Sequence, residues 1–217
     1  MSSSPSFLLG DEVHFEHDAH AYIDADGFTQ RMSVTQAIKI AGLIDYSMVR
    51  PEYLEVARKR GDLVHQACAL ADQGEDLNHY VMPDLLWPYI SAYLTFVAEM
   101  KFVVNPDLVE RPMIVELFGH RVGMTPDAVG FIDGVPTVLE RKATSASHPS
   151  WAIQTAGYEL GLRAAGLQIR QRLAVQLLRT GKYKPLFYED QGDYETFADA
   201  FRLAAWKLKH NLAKLAE

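Results

Sequence analysis

Apolar and polar positions alternate most clearly around Asp133-Gly134. Ala128, Val129, Phe131 and Ile132 lie before it, and Val135, Val138 and Leu139 after it. A type I′ turn needs positive φ at both central residues, so Asp-Gly between two β-prone runs predicts a hairpin. A two-residue loop fixes the register. Ile132 then faces Val135 and, counting outward, Asp127 faces Glu140 with Cβ atoms roughly 5 Å apart. Strand side chains alternate, which puts Glu140 and Lys142 on one face. Pro136 falls opposite Phe131, beside the closing pair, where an antiparallel hairpin leaves facing residues unbonded and tolerates a missing donor.

Elsewhere the apolar period shifts toward 3.6. Residues 7–32 read as short strands and turns, and Ser33 caps a helix over 34–42 that Gly42 closes. Pro51 opens a second helix running to about Asp72, with Gly74 just beyond. A third helix spans 83–100, with Leu85, Leu86, Tyr89, Ile90, Tyr93, Phe96 and Val97 on its apolar face. Pro88 marks either its true start or a kink. Phe102–Val104 and Leu108–Phe118 read as strands. A helix over 149–164 carries Trp151, Gln154, Tyr158 and Leu162 along one stripe. A hairpin around Thr180-Gly181 joins strands at 169–179 and 182–188. The last helix runs from about Gly192 to Leu215, with Phe197, Phe201, Ala204, Leu208, Leu212 and Leu215 turned to the core. The order predicts an α/β (α+β) fold with a central mixed β-sheet flanked by helices. It forms one domain over 1–217, with an N-terminal hairpin and helix (1–50) added to a core (51–217).

Composition narrows the class. The chain has 217 residues, 48% hydrophobic and 23% charged, enough for a core that needs no staples. No apolar run approaches the roughly 20 residues that span a bilayer, so no membrane partner is expected. The N-terminal MSSSPSFLLGDEV lacks a basic n-region and a long apolar stretch, which predicts a cytoplasmic location. A net charge of −7 argues against coating DNA by bulk attraction, and leaves local basic sites open. The single cysteine, Cys68, excludes an intramolecular disulfide and a multi-cysteine zinc site.

The hairpin also carries the chemistry. Facing carboxylates repel unless a cation lies between them. Lys142 supplies one charge, and a divalent metal with oxygen ligands is the natural completion. The alternative is a solvated, charged ladder. His65 sits on or beside the apolar stripe of Leu54, Ala57, Gly61, Val64 and Cys68, as a metal ligand or a core residue. Gly61 would let that helix approach the site closely. Arg58, Lys59 and Arg60 are either phosphate contacts or a solvated face. Glu110 is a further acidic candidate or one half of a surface ion pair, and Gly123 would admit a phosphate or metal. Gln154 and Tyr158 are polar tips on a packing face, aimed at something that needs hydrogen bonds. Trp151 either packs or stacks on a base. His14, His17 and His20 do not share a strand face and read as a solvated loop. Arg170, Arg172, Arg179, Lys182 and Lys184 make 169–188 the most basic part of the chain.

Pro126-Asp127 followed by Glu140-Arg141-Lys142 resembles the PD-(D/E)XK nuclease signature. Gln154-Thr-Ala-Gly-Tyr158 resembles the Gln-x3-Tyr motif of its RecB-like, phage-exonuclease branch. Gly61-Asp-Leu-Val-His65 is similar to that branch's metal-binding histidine motif, and Ser33-Val-Thr-Gln36 to its N-terminal stretch. The main match spans about 61–160. The resemblance implies a restriction-endonuclease-like core and a metal-dependent deoxyribonuclease, foremost an exonuclease on linear DNA in phage-type recombination or repair. An endonuclease or nickase, or a silent DNA-binding module, is the alternative. It implies Mg²⁺ or Mn²⁺ held by His65, Asp127, Glu140 and the Arg141 backbone carbonyl, with Glu110 as the additional acid. Lys142, Gln154 and Tyr158 join Asp127 and Glu140 as catalytic residues. The implied partners are DNA, a single-strand annealing or recombination protein, and further copies of the chain in a homo-oligomer. Several relatives carry an iron–sulfur cluster on four cysteines, which one cysteine cannot hold.

Overall fold

The computed structural model describes residues 13–16, 21–30 and 32–215. Asp133 and Gly134 both take positive φ, +48° and +78°, as the turn requires. The strands on either side, β7 (Ala128–Ile132) and β8 (Val135–Ala143), pair antiparallel from Ile132↔Val135 to Ala128↔Leu139. Asp127 and Glu140 lie one step past the last pair. Phe131 and Pro136 face each other as expected.

Two further strands, β9 (Gln171–Leu177) and β10 (Tyr183–Tyr188), and the short β4 (Val103–Val104) complete a five-stranded sheet in the order β10-β9-β8-β7-β4. Only the β8–β9 pairing is parallel. Parallel neighbours need a long crossover, and α4 (Ser150–Ala164) supplies it. The fold is therefore mixed α/β around a mixed sheet. Helix α1 (Val34–Ala41) has Ser33 accepting from the Gln36 N–H and Gly42 left-handed at its C-terminus. Helix α2 (Pro51–Asp72) opens on Pro51. Smaller sheets stand alongside: β1 (His14–Glu16), β2 (Ala21–Ile23) and β3 (Thr29–Gln30), and the pair β5 (Met113–Leu117) and β6 (His120–Met124).

The central sheet divides two cores. Val34, Ile38, Val129, Val138, Leu162, Phe197 and Phe201 fill one side, between α1, α4, α5 (Gly192–Lys209) and β5–β6. Val64, Cys68, Tyr93, Phe96, Ala128, Leu139 and Val175 fill the other, against α2 and α3 (Trp87–Glu99). Along β8, Val138 belongs to the first core and Leu139 to the second. By the same alternation Glu140 and Lys142 turn toward α4, and Arg141 toward α2 and α3.

Three expectations need correction. The third helix starts at Trp87 rather than 83, with Pro88 in its first turn and a 3-10 turn over Asp84–Leu86 before it. Proline's fixed φ and missing donor suit a first turn, so there is no kink. Leu108–Phe118 is not one strand. A 3-10 turn covers Pro106–Leu108, Glu110 takes a left-handed φ of +47°, and pairing begins at Met113. The last helix stops at Lys209 rather than Leu215, where Asn211 turns left-handed and Leu212 is exposed. Residues 7–12, His17 and His20 lie outside the described residues; His14 is exposed on β1. Among the described residues no helix is long and apolar enough to cross a membrane.

Candidate metal centre

Three elements bring their polar side chains to the open end of the β7–β8 hairpin. Asp127, just before β7, is buried. Its Oδ2 accepts from the Arg141 backbone N–H at 2.5 Å, and its carbonyl accepts from the Glu110 N–H at 3.1 Å. From α2, His65 places Nδ1 3.2 Å from Asp127 Oδ1 and 3.5 Å from Glu110 Oε1. Its Nε2 lies 3.0 Å from the Arg141 carbonyl. A carbonyl only accepts, so Nε2 carries the hydrogen and the Nδ1 lone pair faces two carboxylates. That arrangement needs a positive charge on Nδ1, either a proton or a bound cation. Burial would lower the His65 pKa, but the charges and hydrogen bonds of Asp127 and Glu110 together outweigh it and lift it to about 10. For Asp127, burial pushes the pKa up and the imidazolium more than reverses it, holding the carboxyl below its usual range. Burial and the Asp127 charge push Glu110 upward.

One ligand atom each from His65, Glu110 and Asp127 lies within 4.8 Å of the others, so the group can hold a metal ion. One imidazole nitrogen with carboxylate oxygens is a donor set for a divalent metal ion. Glu140 adds an independent sign. It is 3% exposed, and its Oε2 has no hydrogen-bond partner among the described residues. A carboxylate oxygen buried without a partner costs about 1–3 kcal/mol or more, and a cation beside it would remove that penalty.

The other oxygen, Glu140 Oε1, is 2.5 Å from Lys142 Nζ. Burial and the Asp127 charge raise the Glu140 pKa to about 7, Lys142 opposing them. Lys142 also donates to Gln154 Oε1 at 3.0 Å, and Gln154 Nε2 donates to Tyr158 OH at 3.0 Å and Thr35 Oγ1 at 3.2 Å. The polar stripe of α4 thus reaches the Glu-x-Lys strand. Thr35, Lys39, His65, Glu110 and Tyr158 line a cleft of about 1330 Å³.

Arg58 and Gly61 line the same cleft, but the contacts of the remaining sequence candidates are structural. Arg58 pairs with Glu55 and Asp62, and Lys59 with Glu55, as a solvated helix face does. Arg60 turns to the Ala143 carbonyl at 3.1 Å and over the Tyr89 ring. Gly61 is not a point of close approach: a Cβ there would meet nothing within 4 Å. A Cβ on Gly123 would come within 2.2 Å of the Tyr22 ring, so that glycine admits an aromatic side chain rather than a ligand. Trp151 is buried. Arg172 is buried too, 2.9 Å from Asp193 and 3.5 Å from Glu159, and is structural. The Arg141 carbonyl, a metal ligand by resemblance, accepts here from His65.

The Arg141 side chain, Asp72 and Tyr93 escaped the sequence reading. Arg141 is fully buried, and its guanidinium contacts Asp72, Glu110 and the Tyr93 hydroxyl. Burying such a charge costs several kcal/mol unless it is well paired. Alternation along β8 puts residue 141 on a buried face, so an arginine there was the available signal.

No family model matches the chain, and no curated protein matches it. Among solved structures it is similar to the crystal structure of SSO0001, at 13% identity and a TM-score of 0.35, covering 70% of this chain and 71% of that one. It is also similar to the crystal structure of LHK-Exo in complex with dAMP, at 13% identity and a TM-score of 0.36, covering 85% of this chain and 94% of that one. Neither likeness is close enough to bear on chemistry, which rests on the residues themselves.

Proposed function

We propose that this chain is a metal-dependent deoxyribonuclease of the PD-(D/E)XK kind, acting as an exonuclease on linear DNA in recombination or repair. One observation carries the reading. Two buried carboxylates, Asp127 and Glu140, stand abreast at the end of one hairpin, His65 and Glu110 reach one of them, Lys142 reaches the other, and Glu140 Oε2 has no hydrogen-bond partner among the described residues. The residues that would hold Mg²⁺ or Mn²⁺ are His65, Glu110, Asp127 and Glu140. When bound, such an ion supplies a lower pKa for a coordinated water and a counter-charge for the phosphoryl oxygens.

The chain's own residues do the rest. Lys142, fixed between Glu140 and Gln154, orients the attacking water and offsets negative charge growing on the phosphate. Gln154 and Tyr158 keep Lys142 aimed by a continuous hydrogen-bond chain.

Linear and covalently closed DNA are incubated with the protein and Mg²⁺ or Mn²⁺, with Lys142→Ala as control. Loss of linear DNA alone supports an exonuclease, and cutting of circles an endonuclease or nickase. Binding without cutting in every condition would leave a DNA-binding module. Full turnover by Lys142→Ala would remove the nuclease reading.

A further inference from the structure

We propose that the Arg141 guanidinium is a positioning residue: anchored by Asp72 and Tyr93, it holds Glu110 in the metal centre and so sets the affinity for a divalent cation. This rests on reading His65, Glu110 and Asp127 as the metal-holding group.

Glu110 is tied by its N–H to the Asp127 carbonyl, which brings its backbone to the site but leaves the direction of its side chain to other contacts. It follows a 3-10 turn, lies outside any strand and takes a left-handed φ of +47°. Its Oε1 is steered by two cationic groups, His65 Nδ1 at 3.5 Å and Arg141 Nη1 at 3.3 Å. Arg141 in turn is held by groups remote from the centre. Its Nη2 bonds Asp72, the last residue of α2, and lies 3.4 Å from the Tyr93 hydroxyl. The guanidinium also stacks 4.8 Å from the Tyr93 ring centroid. Tyr93 OH lies 2.7 and 2.8 Å from the two Asp72 oxygens, which fixes the acid that fixes the arginine.

The main chain of the same residue bonds the other two members. Its N–H donates to Asp127 and its carbonyl accepts from His65. All three side chains of the candidate centre are therefore referred to one position on β8. A planar fork with several donors can hold two carboxylates in fixed directions, and a lysine point charge cannot. Groups that orient metal ligands in this way typically contribute 10- to 100-fold in metal affinity.

The alternative is that Arg141 merely neutralises Asp72 inside the α2–α3 core. The two readings part when the buried pair is removed together, in Arg141→Met/Asp72→Asn, because no buried charge is then left alone. Mn²⁺ binding to the DNA-free protein is measured by titration calorimetry. Positioning predicts a Kd weaker by about 10-fold or more. It also predicts that adding the pair to Glu110→Gln weakens binding little further, since the residues act through one contact. Arg141→Lys should restore less than the full affinity.

A folded double variant that binds Mn²⁺ like wild type overturns the proposal, as does a loss that simply adds to that of Glu110→Gln. Should the double variant fail to fold, Tyr93→Phe decides. Weaker Mn²⁺ binding with unchanged fold supports positioning, and unchanged binding overturns it. Failure of the nuclease reading looks different, as Mn²⁺ bound tightly by a wild-type protein that cuts no DNA.

Discussion

Replacing Lys142 by Met makes a sharp test, because Glu140 decides what the loss costs. The ammonium, on a side chain 22% exposed, is 2.5 Å from Oε1 of the buried Glu140. Stripping one partner from a buried pair normally costs 3–5 kcal/mol. Here Glu140 already titrates at about 7, far above its ordinary 4.5, because it is buried beside Asp127. The folded state therefore binds the extra proton between those pH values. Wild-type stability should fall as pH rises from 4.5 to 7 on account of this group, then level off once Glu140 ionises against Lys142. Without the ammonium, Glu140 stays protonated to higher pH and the fall continues. The gap between Lys142→Met and wild type should thus hold steady below pH 7, at the level set by the lost attraction to Asp127 and the lost hydrogen bond to Gln154, and widen above pH 7 by about 1.4 kcal/mol per pH unit. Urea melts of the metal-free proteins at pH 6, 7, 8 and 9 measure it. A gap that does not change with pH would refute the reasoning. In the DNA assay the same variant should lose a factor of ~10² or more in rate, the scale of one preorganised electrostatic group.

His65→Ala should weaken Mn²⁺ binding by at least ~10-fold and also lower the melting temperature of the metal-free protein at neutral pH, because the cation facing Asp127 and Glu110 is lost, as calorimetry and thermal melts would read; a drop in melting temperature with intact Mn²⁺ binding would make it a core residue. In metal-free protein the His65 contribution to stability should be complete below pH 6.5 and lost as pH rises through about 10, so the wild-type advantage over His65→Gln should shrink over that window in pH-dependent melts. Gly123→Ala should destabilise by about 1–3 kcal/mol or more, since the new methyl meets the Tyr22 ring in a packed layer. Gly61→Ala meets nothing and should be neutral or stabilise by up to about 1 kcal/mol through helix propensity; equal losses in the two glycine variants by urea melts would contradict the packing described.

Local chemistry made the hairpin readable: Asp133-Gly134 fixes a turn, the turn fixes a register, and the register sets Asp127 beside Glu140. The helices opening at Ser33 and Pro51 followed from caps of the same local kind. What the sequence hid depends on contacts between distant segments. Glu110 looked like a strand residue because apolar residues at 108–109 and 113–115 lie on either side of it, yet its left-handed backbone is tied to Asp127. The role of Gly123 needed the position of Tyr22, a hundred residues away. Arg58 and Lys59 were ambiguous until Glu55 and Asp62 were seen within reach along the same helix face. Arg141 was hidden by its own motif, whose flanking residues draw attention to the opposite side of the strand.

Successive residues of β8 answer to different layers, and this makes chain length near the tip of the hairpin a chemical variable. One residue added to or taken from the connection at 133–134 would shift the pairing by one and reverse the facing of the strand beyond it. The arginine would then swing toward α4, while the acid and the amine turned into the hydrocarbon packed against α2 and α3. The turn lies roughly 23 Å along the strand from Glu140 and contacts no substrate in this reading. Substitutions there that preserve two residues and positive φ should be harmless, whereas a single insertion should silence the protein without touching any side chain of the site.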